Sequence, residues 1–276
     1  MRSIPFSECD PFSPIKYSYS LERILCQRRG QYGEIQIAEH NYFGKMLILN
    51  GVVQLTERDE YLYHEMLAHV PLHSHPNPSN ILIIGGGDGG TLREVLKHRQ
   101  VKKVLVAEID SDVIKVSIDF LPSLSSGFSD PRTEVVIKNG AEFISQLREV
   151  YDIILIDCTD PIGPAESLFT IEFLKNAYKA LKVDGILAAQ TESLHFHLDF
   201  VRQVQNRLKQ VFPIIDLYTA SIATYAGNWW TFSIASKQSN PREPVRKCDI
   251  CTRFYADDVH HNAFIVPSLY SRLIGS

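Results

Sequence analysis

The sequence predicts a doubly wound α/β domain preceded by a small antiparallel β module. From residue 81 onward, short apolar runs alternate with stretches of helical spacing, as in ILIIG, TLREVLKH, KVLVAEID and DVIKVSIDFLPSL. Apolar strands separated by amphipathic helices indicate a parallel sheet with helices on both faces. The segment IIGGGDGG, between the first strand and the first helix of this series, is typical of a loop that binds a nucleotide.

The N-terminal part of the chain is expected to form antiparallel strands. EIQIAEH alternates apolar and polar residues, and KMLILNGVVQL has two apolar runs around Asn50-Gly51, a strong hairpin signal. The next stretch, ERDEYLYHEMLAHVPL, predicts a helix that ends at Pro71, before a loop rich in turn residues. We therefore expect a β-hairpin module with a linking helix over residues 1–72 and a Rossmann-like domain over residues 73–276.

The composition limits the function classes. The 276 residues are 45% hydrophobic, enough to fill a core, and 28 Lys and Arg stand against 32 Asp and Glu, a formal charge of -4. Because there is no basic excess, nucleic acid is not an expected partner, whereas a small cationic molecule suits this charge. No apolar run approaches the roughly 18 residues of a membrane span, and the start lacks the apolar core of a signal peptide. We expect a cytoplasmic protein with no membrane partner.

Metal and redox motifs are weak. Cys248 and Cys251 form a single C-x-x-C without a second pair, and the odd total of five cysteines predicts ordinary free thiols. His64 and His69 are five positions apart, whereas a helical zinc motif spaces its histidines by four. His195 and His197 alternate with apolar residues and are expected at the surface. We therefore predict no metal site.

The glycine-rich segment fits a nucleoside-binding fingerprint. Gly85, Gly87 and Gly90 satisfy G-x-G-x-x-G directly after a strand and before a helix. Glycine permits a tight turn and close approach of a ligand, and the helix start offers free N–H groups. Glu108 and Asp110 end the next strand, where an acid accepts the two hydroxyls of a ribose. A purely structural loop is the alternative.

Asp88 discriminates between the ligands that this fingerprint admits, since NAD and an adenosylmethionine-type molecule both fit the glycines. Asp88 lies where a dinucleotide would place its pyrophosphate, and its carboxylate would repel those negative charges. A sulfonium or an ammonium would instead be attracted. The acid therefore favours a cationic, adenosylmethionine-type ligand.

A second acidic segment is YDIILIDCTDPIGPAESLF. Asp157 ends a buried strand, and Asp160 follows in a loop stiffened by Pro161 and Pro164. Ligands of open α/β sheets bind at the carboxyl ends of strands, so both carboxylates should face the same crevice as the glycine loop. The alternative is an N-cap acid followed by a solvated loop acid.

With these residues in place, the chain resembles the polyamine aminopropyltransferases, and spermidine synthases above all. The matching segments are LNGVVQLTERDEYLYHEMLAHVPL, IIGGGDGGTLREVLKH, EIDSDVI, AAQTES, FYADDVHHNAFIVP and DCTDPIGPAESLF, the last being highly specific. The resemblance implies a Rossmann-like sheet of the class I methyltransferase type. It also implies transfer of an aminopropyl group from decarboxylated S-adenosylmethionine to a diamine, usually putrescine, with release of methylthioadenosine and no other cofactor.

The resemblance assigns a role to individual residues. Asp157 matches the family's proton acceptor, Asp88 would pair with the ammonium of the aminopropyl chain, and Glu108 would hold the ribose. Residues 161–168 correspond to the family's gatekeeping loop. The positions that match the amine-binding pocket are Asp160, Tyr63, His64, Gln190 and Tyr225. The positions that match the binding site of the adenosyl donor are Gly33, Gly85, Gly87, Asp88, Glu108, Asn139, Gly140 and Pro164.

Two donor positions depart from the family pattern. Gly33 replaces a glutamine that contacts the adenosyl ligand, although Gln31 or Gln36 could compensate. Asn139 replaces an aspartate that accepts a hydrogen bond from the adenine amino group, and asparagine can still accept but has no charge. We therefore predict a working aminopropyltransferase with weakened donor binding.

Other functions and acceptors stay open from sequence. A methyltransferase that uses intact adenosylmethionine has the same fold, but Asp88 and the paired acids argue against it. A polyamine-binding homologue without turnover is a second alternative, as is transfer to another di- or polyamine. The family forms dimers or tetramers, often through the N-terminal β module, so the resemblance implies a homodimer or homotetramer.

Overall fold

The N-terminal module contains two antiparallel sheets. The computed structural model describes residues 3–10 and 13–275. The strands of the module are β1 (Ile4–Cys9), β2 (Lys16–Leu21), β3 (Arg23–Gly30), β4 (Gly33–His40), β5 (Gly44–Leu49) and β6 (Val52–Thr56). The first two form a hairpin and the other four a meander. The turn predicted at Asn50-Gly51 is confirmed, since both residues have positive φ, 52° and 79°, as this type of tight turn requires.

The larger part of the chain is a seven-stranded sheet in the order β12-β13-β11-β10-β7-β8-β9. Its strands are β7 (Asn80–Gly85), β8 (Lys103–Glu108), β9 (Thr133–Ile137), β10 (Tyr151–Asp157), β11 (Leu181–Ser193), β12 (Ile214–Ser221) and β13 (Trp229–Ser236). The neighbouring strands β9, β8, β7, β10 and β11 pair in parallel. Strand β13 pairs antiparallel with both of its neighbours, β11 and β12. The predicted doubly wound sheet with an N-terminal β module is confirmed.

Helices cover both faces of this sheet. They are α1 (Glu60–Ser74), α2 (Gly90–Leu96), α3 (Ser111–Phe120), α4 (Pro122–Ser125), α5 (Gly140–Ile144), α6 (Ile171–Ala180), α7 (Leu198–Lys209), α8 (Asp257–Ala263) and α9 (Pro267–Ile274), with short 3-10 helices at Ser126–Ser129 and Gly163–Phe169. None of the helices in the described ranges combines the length and the apolar character that crossing a membrane would require.

Strand β7 shows why its sequence is apolar throughout. Ile81 and Ile83 face a core shared with α1, whereas Leu82 and Ile84 face a second core shared with α6 and α7. Successive side chains of a strand point to opposite faces, so a strand covered on both sides has no polar positions. All four side chains are at most 2% exposed.

The order of the strands creates the crevice for the site. The chain runs outward from β7 through β8 to β9, and then returns to place β10 on the other side of β7. Ligands of doubly wound sheets bind at such a reversal, beyond the carboxyl ends of the strands. Here Gly85 pairs with Asp157, and the Gly86 N–H donates to the Asp157 carbonyl at 2.8 Å. The glycine loop and the acidic loop therefore lie side by side.

Helix α1 does not end at Pro71 as its sequence predicts, but continues to Ser74 with the proline in its last turn. Two side chains donate to backbone carbonyls around the proline: His73 Nδ1 to His69 at 3.0 Å and Ser74 Oγ to Val70 at 2.8 Å. These bonds offset part of the cost of a proline inside a helix. The helix crosses the boundary expected between residues 72 and 73, and that boundary stays a prediction.

Candidate active site

A cavity of about 240 Å³ lies between the glycine loop, the carboxyl ends of β8 and β10, and the N-terminal module. The residues expected in the site that line it are Gly33, Tyr63, His64, Gly85, Gly87, Asp88, Glu108, Asn139, Gly140, Asp157, Pro164 and Tyr225. A second cavity of about 50 Å³ contains the remaining two, Asp160 and Gln190. Because Tyr63 and Tyr225 line both, the two cavities adjoin.

The glycines of the loop are required where other groups approach closely. Gly85 has φ +83°, and a Cβ on it would lie 2.0 Å from the backbone oxygen of Asp157. A Cβ on Gly90 would lie 2.3 Å from the imidazole ring of His64. Any side chain at these positions would push the loop away from β10 or displace the histidine.

Asp88 is held by two groups on the protein side of the loop. Its Oδ1 accepts from the Gly90 N–H at 2.7 Å and lies 3.2 Å from His64 Nε2. Burial raises the pKa of this carboxyl, but His64 and the N–H outweigh it, so the pKa falls below its ordinary value. Asp88 therefore carries its negative charge into the cavity.

His64 is a buried cation between two acids. Its Nδ1 donates to Glu60 at 2.7 Å while its Nε2 faces Asp88. Burial lowers the pKa of the imidazole, yet Asp88 and Glu60 outweigh this and raise it to about 10. Ligand-type atoms of His64, Asp88 and Asp157 lie within 4.8 Å of one another. A proton on each ring nitrogen suits these carboxylate contacts better than a metal ion does.

Asp157 ends β10 with one carboxylate oxygen engaged and the other available. Oδ1 accepts from the Tyr63 hydroxyl at 2.7 Å. Oδ2 is buried and, within the described residues, has no hydrogen-bond partner. The Thr91 hydroxyl lowers the pKa of the Asp157 carboxyl, but this hydroxyl also makes no hydrogen bond of acceptable geometry. Burial and then the charge of Asp88 raise the pKa overall. A carboxylate with a raised pKa and an available oxygen can accept a proton.

The smaller cavity contains an acidic residue that the sequence patterns did not single out, Glu192. Glu192 has φ +69° at an irregularity of β11, and its side chain is almost fully buried. Its Oε2 lies 3.1 Å from His197 Nδ1, whereas Oε1 lacks a partner within the described part of the chain. Strained, buried acids of this kind concentrate at functional sites.

Three further acids line the small cavity with Glu192, namely Glu8, Asp10 and Asp160, and so does His197. Burial and then the charge of Glu192 raise the pKa of Asp160 to about 8. Glu8, from the N-terminal hairpin, has its pKa raised to about 7, chiefly by burial. Four acids beside a single imidazole need protons or a further cation to compensate their charge. The small cavity is therefore suited to an ammonium group.

His195 is exposed as expected, but the expectation that His197 lies at the surface is wrong. The His197 side chain is 4% exposed and its ring nitrogens lie 3.0 Å from Asp10 and 3.1 Å from Glu192. The N-terminal hairpin packs over this region and covers the histidine. An alternating pattern within one segment does not predict burial by a segment that is distant in sequence.

The aromatic and amide walls of the two cavities are fixed by backbone contacts. Gln190 Nε2 donates to the carbonyl oxygens of Cys158 and Thr159 at 3.1 and 3.4 Å. The Tyr225 hydroxyl donates to the Gln54 carbonyl at 2.6 Å. Both side chains therefore hold the shape of the acceptor region as well as lining it.

On the nucleoside side, Glu108 and Asn139 stand at adjacent strand ends. Burial raises the pKa of Glu108 to about 7, against the N–H groups of Asp110 and Ile109 that lower it. Asn139 is the N-cap of α5, and its amide oxygen accepts from the N–H groups of Ala141 at 2.8 Å and Glu142 at 3.4 Å. The asparagine oxygen therefore already has two partners before any ligand arrives.

Gly33 is part of a local arrangement with Asn50. The glycine has φ +133°, and a Cβ on it would lie 1.8 Å from Asn50 Oδ1, which accepts from the Glu34 N–H at 2.9 Å. A longer residue at position 33 would therefore need a different turn. Of the residues described, neither Gln31 nor Gln36 lines the large cavity, so the structure does not support compensation by either.

The remaining sequence candidates lie elsewhere. Cys248 and Cys251 are free thiols, as predicted, and neither lines the two cavities.

His75, Asp152 and Asp184 form a second group of side chains with metal-ligand atoms, beside Lys182. Asp152, however, already binds that lysine at 2.8 Å and the N–H groups of Ser79 and Asn80.

Comparisons with known proteins show the family of the chain. Residues 60–244 match the family model described as the spermine/spermidine synthase domain, and residues 4–57 match the spermidine synthase tetramerisation domain. The chain is 54% identical to polyamine aminopropyltransferase 1 of Aquifex aeolicus over 99% of this chain and 98% of that relative. It is 50% identical to the polyamine aminopropyltransferase of a Hydrogenobaculum species, with the same shares covered.

Solved structures show the same likeness. A spermidine synthase in complex with the transition-state analogue AdoDATO superposes with a TM-score of 0.94 at 38% identity, covering 99% of this chain and 95% of that one. The spermidine synthase of Thermotoga maritima gives a TM-score of 0.91 at 38% identity, with 99% and 94% covered. The chain therefore belongs to the spermine/spermidine synthase family and is an enzyme of the polyamine aminopropyltransferase class.

Proposed function

We propose that the protein transfers the aminopropyl group of decarboxylated S-adenosylmethionine to putrescine, giving spermidine and methylthioadenosine. The observation that carries this proposal is the position of the Asp157 carboxylate. Its buried Oδ2 makes no hydrogen bond within the described residues, Asp157 lines the large cavity with Asp88, and the next residue, Cys158, lines both cavities. A proton acceptor between two cation-attracting regions is what transfer between two charged amines requires.

The donor occupies the large cavity in this proposal. Its adenosine lies against the glycine loop, with Glu108 at the ribose and Asn139 at the adenine, and its ammonium pairs with Asp88. The carboxylate of intact adenosylmethionine would be repelled by Asp88, so the decarboxylated form is favoured. Decarboxylated S-adenosylmethionine is a co-substrate here, and no further cofactor is part of the proposed reaction.

The reaction step forms one bond and breaks one. The acceptor nitrogen attacks the carbon next to sulfur, the C–N bond forms, and the C–S electron pair stays on neutral methylthioadenosine. An aliphatic amine with a pKa of about 10.4 must first lose a proton, which costs roughly 4 to 5 kcal/mol at pH 7. Asp157 Oδ2 accepts that proton, while Tyr63 holds Oδ1 and fixes the direction of the carboxylate.

The acceptor lies between Asp157 and the small cavity. Its distal ammonium is bound by Asp160, Glu192 and Glu8, with Tyr225 and Gln190 as walls. The volume of about 50 Å³ suits a single ammonium end better than a further aminopropyl arm. This supports putrescine over longer polyamines, which are the alternative acceptors.

Two further parts of the proposal concern the loop and the assembly. Pro164, Ala165 and Leu168 line the large cavity from the segment 161–168, which would close over the substrates and exclude water. The match of residues 4–57 to a tetramerisation domain supports a homodimer or homotetramer formed through the N-terminal module. The expected cytoplasmic location stays a prediction.

The test is a product assay with purified protein and decarboxylated S-adenosylmethionine. Putrescine, cadaverine, agmatine and spermidine are supplied separately, and products are identified by mass. We expect methylthioadenosine and spermidine, with putrescine giving the highest kcat/KM. Methyl transfer from intact adenosylmethionine, or tight amine binding without release of methylthioadenosine, would contradict the proposal.

A further inference from the structure

A chain of alternating charges runs from Asp88 through His64, which lines the large cavity, to Glu60 and Arg93, which do not. Arg93 donates to both oxygens of Glu60, at 2.9 and 3.2 Å, and the same carboxylate accepts from His64 Nδ1 at 2.7 Å. His64 Nε2 then faces Asp88 Oδ1 at 3.2 Å. The side chains of Glu60 and His64 are 5% and 3% exposed, so solvent screens these contacts little.

The imidazolium lies at unequal distances from its two acids. The distance from His64 Nδ1 to Glu60 is 2.7 Å, which is 0.5 Å shorter than the 3.2 Å from His64 Nε2 to Asp88. The two-point contact with Arg93 fixes the plane of the Glu60 carboxylate, as a guanidinium does for such a group. Glu60 therefore holds His64 toward itself, and Asp88 keeps the longer contact.

The longer contact matters because Asp88 has two cations to attract. If the imidazolium paired fully with Asp88, a ligand ammonium arriving from the cavity would meet a neutralised acid and a nearby positive charge. Glu60 and Arg93 line neither cavity, so they cannot touch a ligand in these cavities directly. Of the contacts that Glu60 makes, the one that leads to the large cavity is its bond with His64.

We propose that Glu60 and Arg93 are positioning residues for the donor, which hold the imidazolium of His64 off Asp88 so that Asp88 can bind the ammonium of the aminopropyl chain. This inference rests on the proposed function and adds residues that no sequence motif identified. It also moves His64 from the acceptor pocket, where the resemblance had placed it, to the donor side of the site.

The test is the isosteric variant Glu60→Gln, assayed with both substrates. We expect the donor KM to rise about tenfold, the size of one charged hydrogen bond, while the KM of putrescine stays unchanged. Binding of methylthioadenosine, measured by calorimetry, should be unaffected because it has no ammonium. In labelled protein the imidazole of His64 should titrate at a lower pH in Glu60→Gln than in the wild type.

A double-mutant cycle isolates the route through His64. In a His64→Gln background, Glu60→Gln should cause no further change in the donor KM. Glu65→Gln is the matched control, since this buried acid lies on the same helix but binds the backbone N–H groups of residues 253–255. It should lower the unfolding temperature and leave the donor KM unchanged.

The outcomes separate this inference from the proposed function. An unchanged donor KM in Glu60→Gln, an equal loss of methylthioadenosine binding, or the same effect in the His64→Gln background would overturn the positioning role alone. A wild-type protein that releases no methylthioadenosine with any amine would overturn the proposed function itself.

Discussion

At the scale of single residues, the site is built from acids whose surroundings give them different charges. Asp88 is kept ionised by His64 and a backbone N–H, whereas burial raises the pKa of Asp157. The two carboxylates therefore suit different tasks, one as a fixed charge and the other as a proton acceptor. Asp160 and Glu8 form a third group, with pKa values raised to about 8 and about 7.

The raised pKa values predict how acceptor binding depends on pH. Below these values Asp160 and Glu8 carry protons and attract an ammonium weakly, and above them both are charged. The KM of putrescine should therefore fall as the pH rises from about 6 to about 9, since the distal amine, with a pKa of about 10, stays protonated. Initial rates at saturating donor, taken at each pH, measure the KM of putrescine.

An Asp160→Asn variant is the control for this prediction. It should raise the KM of putrescine and flatten its dependence on pH, while the donor KM stays the same. A wild-type KM that is constant or rises over this range would count against the assignment of the small cavity to the distal amine.

At the scale of elements, helix and strand ends direct the functional groups. Period-two and helical patterns predicted the strands and helices of the sheet, and the glycine fingerprint predicted the loop between β7 and α2. The bulge that turns Glu192 into the small cavity was not predictable, because AAQTES continues an ordinary strand pattern. The last turn of α1 was missed for a similar reason, since the bonds that support Pro71 come from side chains.

The N-cap of α5 gives a test at this scale. An Asn139→Asp variant keeps a capping oxygen for the Ala141 N–H and adds a charge next to the expected adenine amino group. We expect methylthioadenosine and the donor to bind about threefold to tenfold more tightly, as a hydrogen bond gains a charged acceptor. Calorimetry measures the change.

Asn139→Ser provides the comparison for the N-cap prediction, because serine also caps helices but has no amide to reach a ligand. It should fold normally and bind methylthioadenosine more weakly. Unchanged or weaker affinity in Asn139→Asp would show that the family's charge at this position is not what limits donor binding here.

At the scale of the whole molecule, both parts of the chain contribute to one site. Ile35, Leu47 and Leu49 of the N-terminal module line the large cavity opposite the glycine loop, and Glu8 reaches the small one. The fold class followed from local patterns, and the donor positions named by the family resemblance line one cavity. The contribution of Glu8, the burial of His197 and the chain from Asp88 to Arg93 did not follow from local patterns, because each joins segments that are distant in sequence.

The shared cavity predicts that a ligand stabilises the protein as a whole. Methylthioadenosine at about 100 times its Kd should add roughly 2.7 kcal/mol to the free energy of unfolding, and raise the unfolding temperature accordingly. Chemical unfolding with and without the ligand measures this. NAD is the control. Stabilisation by NAD without stabilisation by methylthioadenosine would contradict the interpretation that Asp88 repels the pyrophosphate of a dinucleotide.

The central claim is that Asp157 accepts the proton from the attacking amine. The most direct measurement is the single-turnover rate of spermidine formation in the preassembled complex, for the wild type and for Asp157→Asn. Asparagine keeps an oxygen for the Tyr63 hydroxyl, so the fold and donor binding should be preserved. We predict a rate lower by about 10² to 10⁴ at neutral pH, the usual contribution of a general base. A variant as fast as the wild type under these conditions would contradict the account.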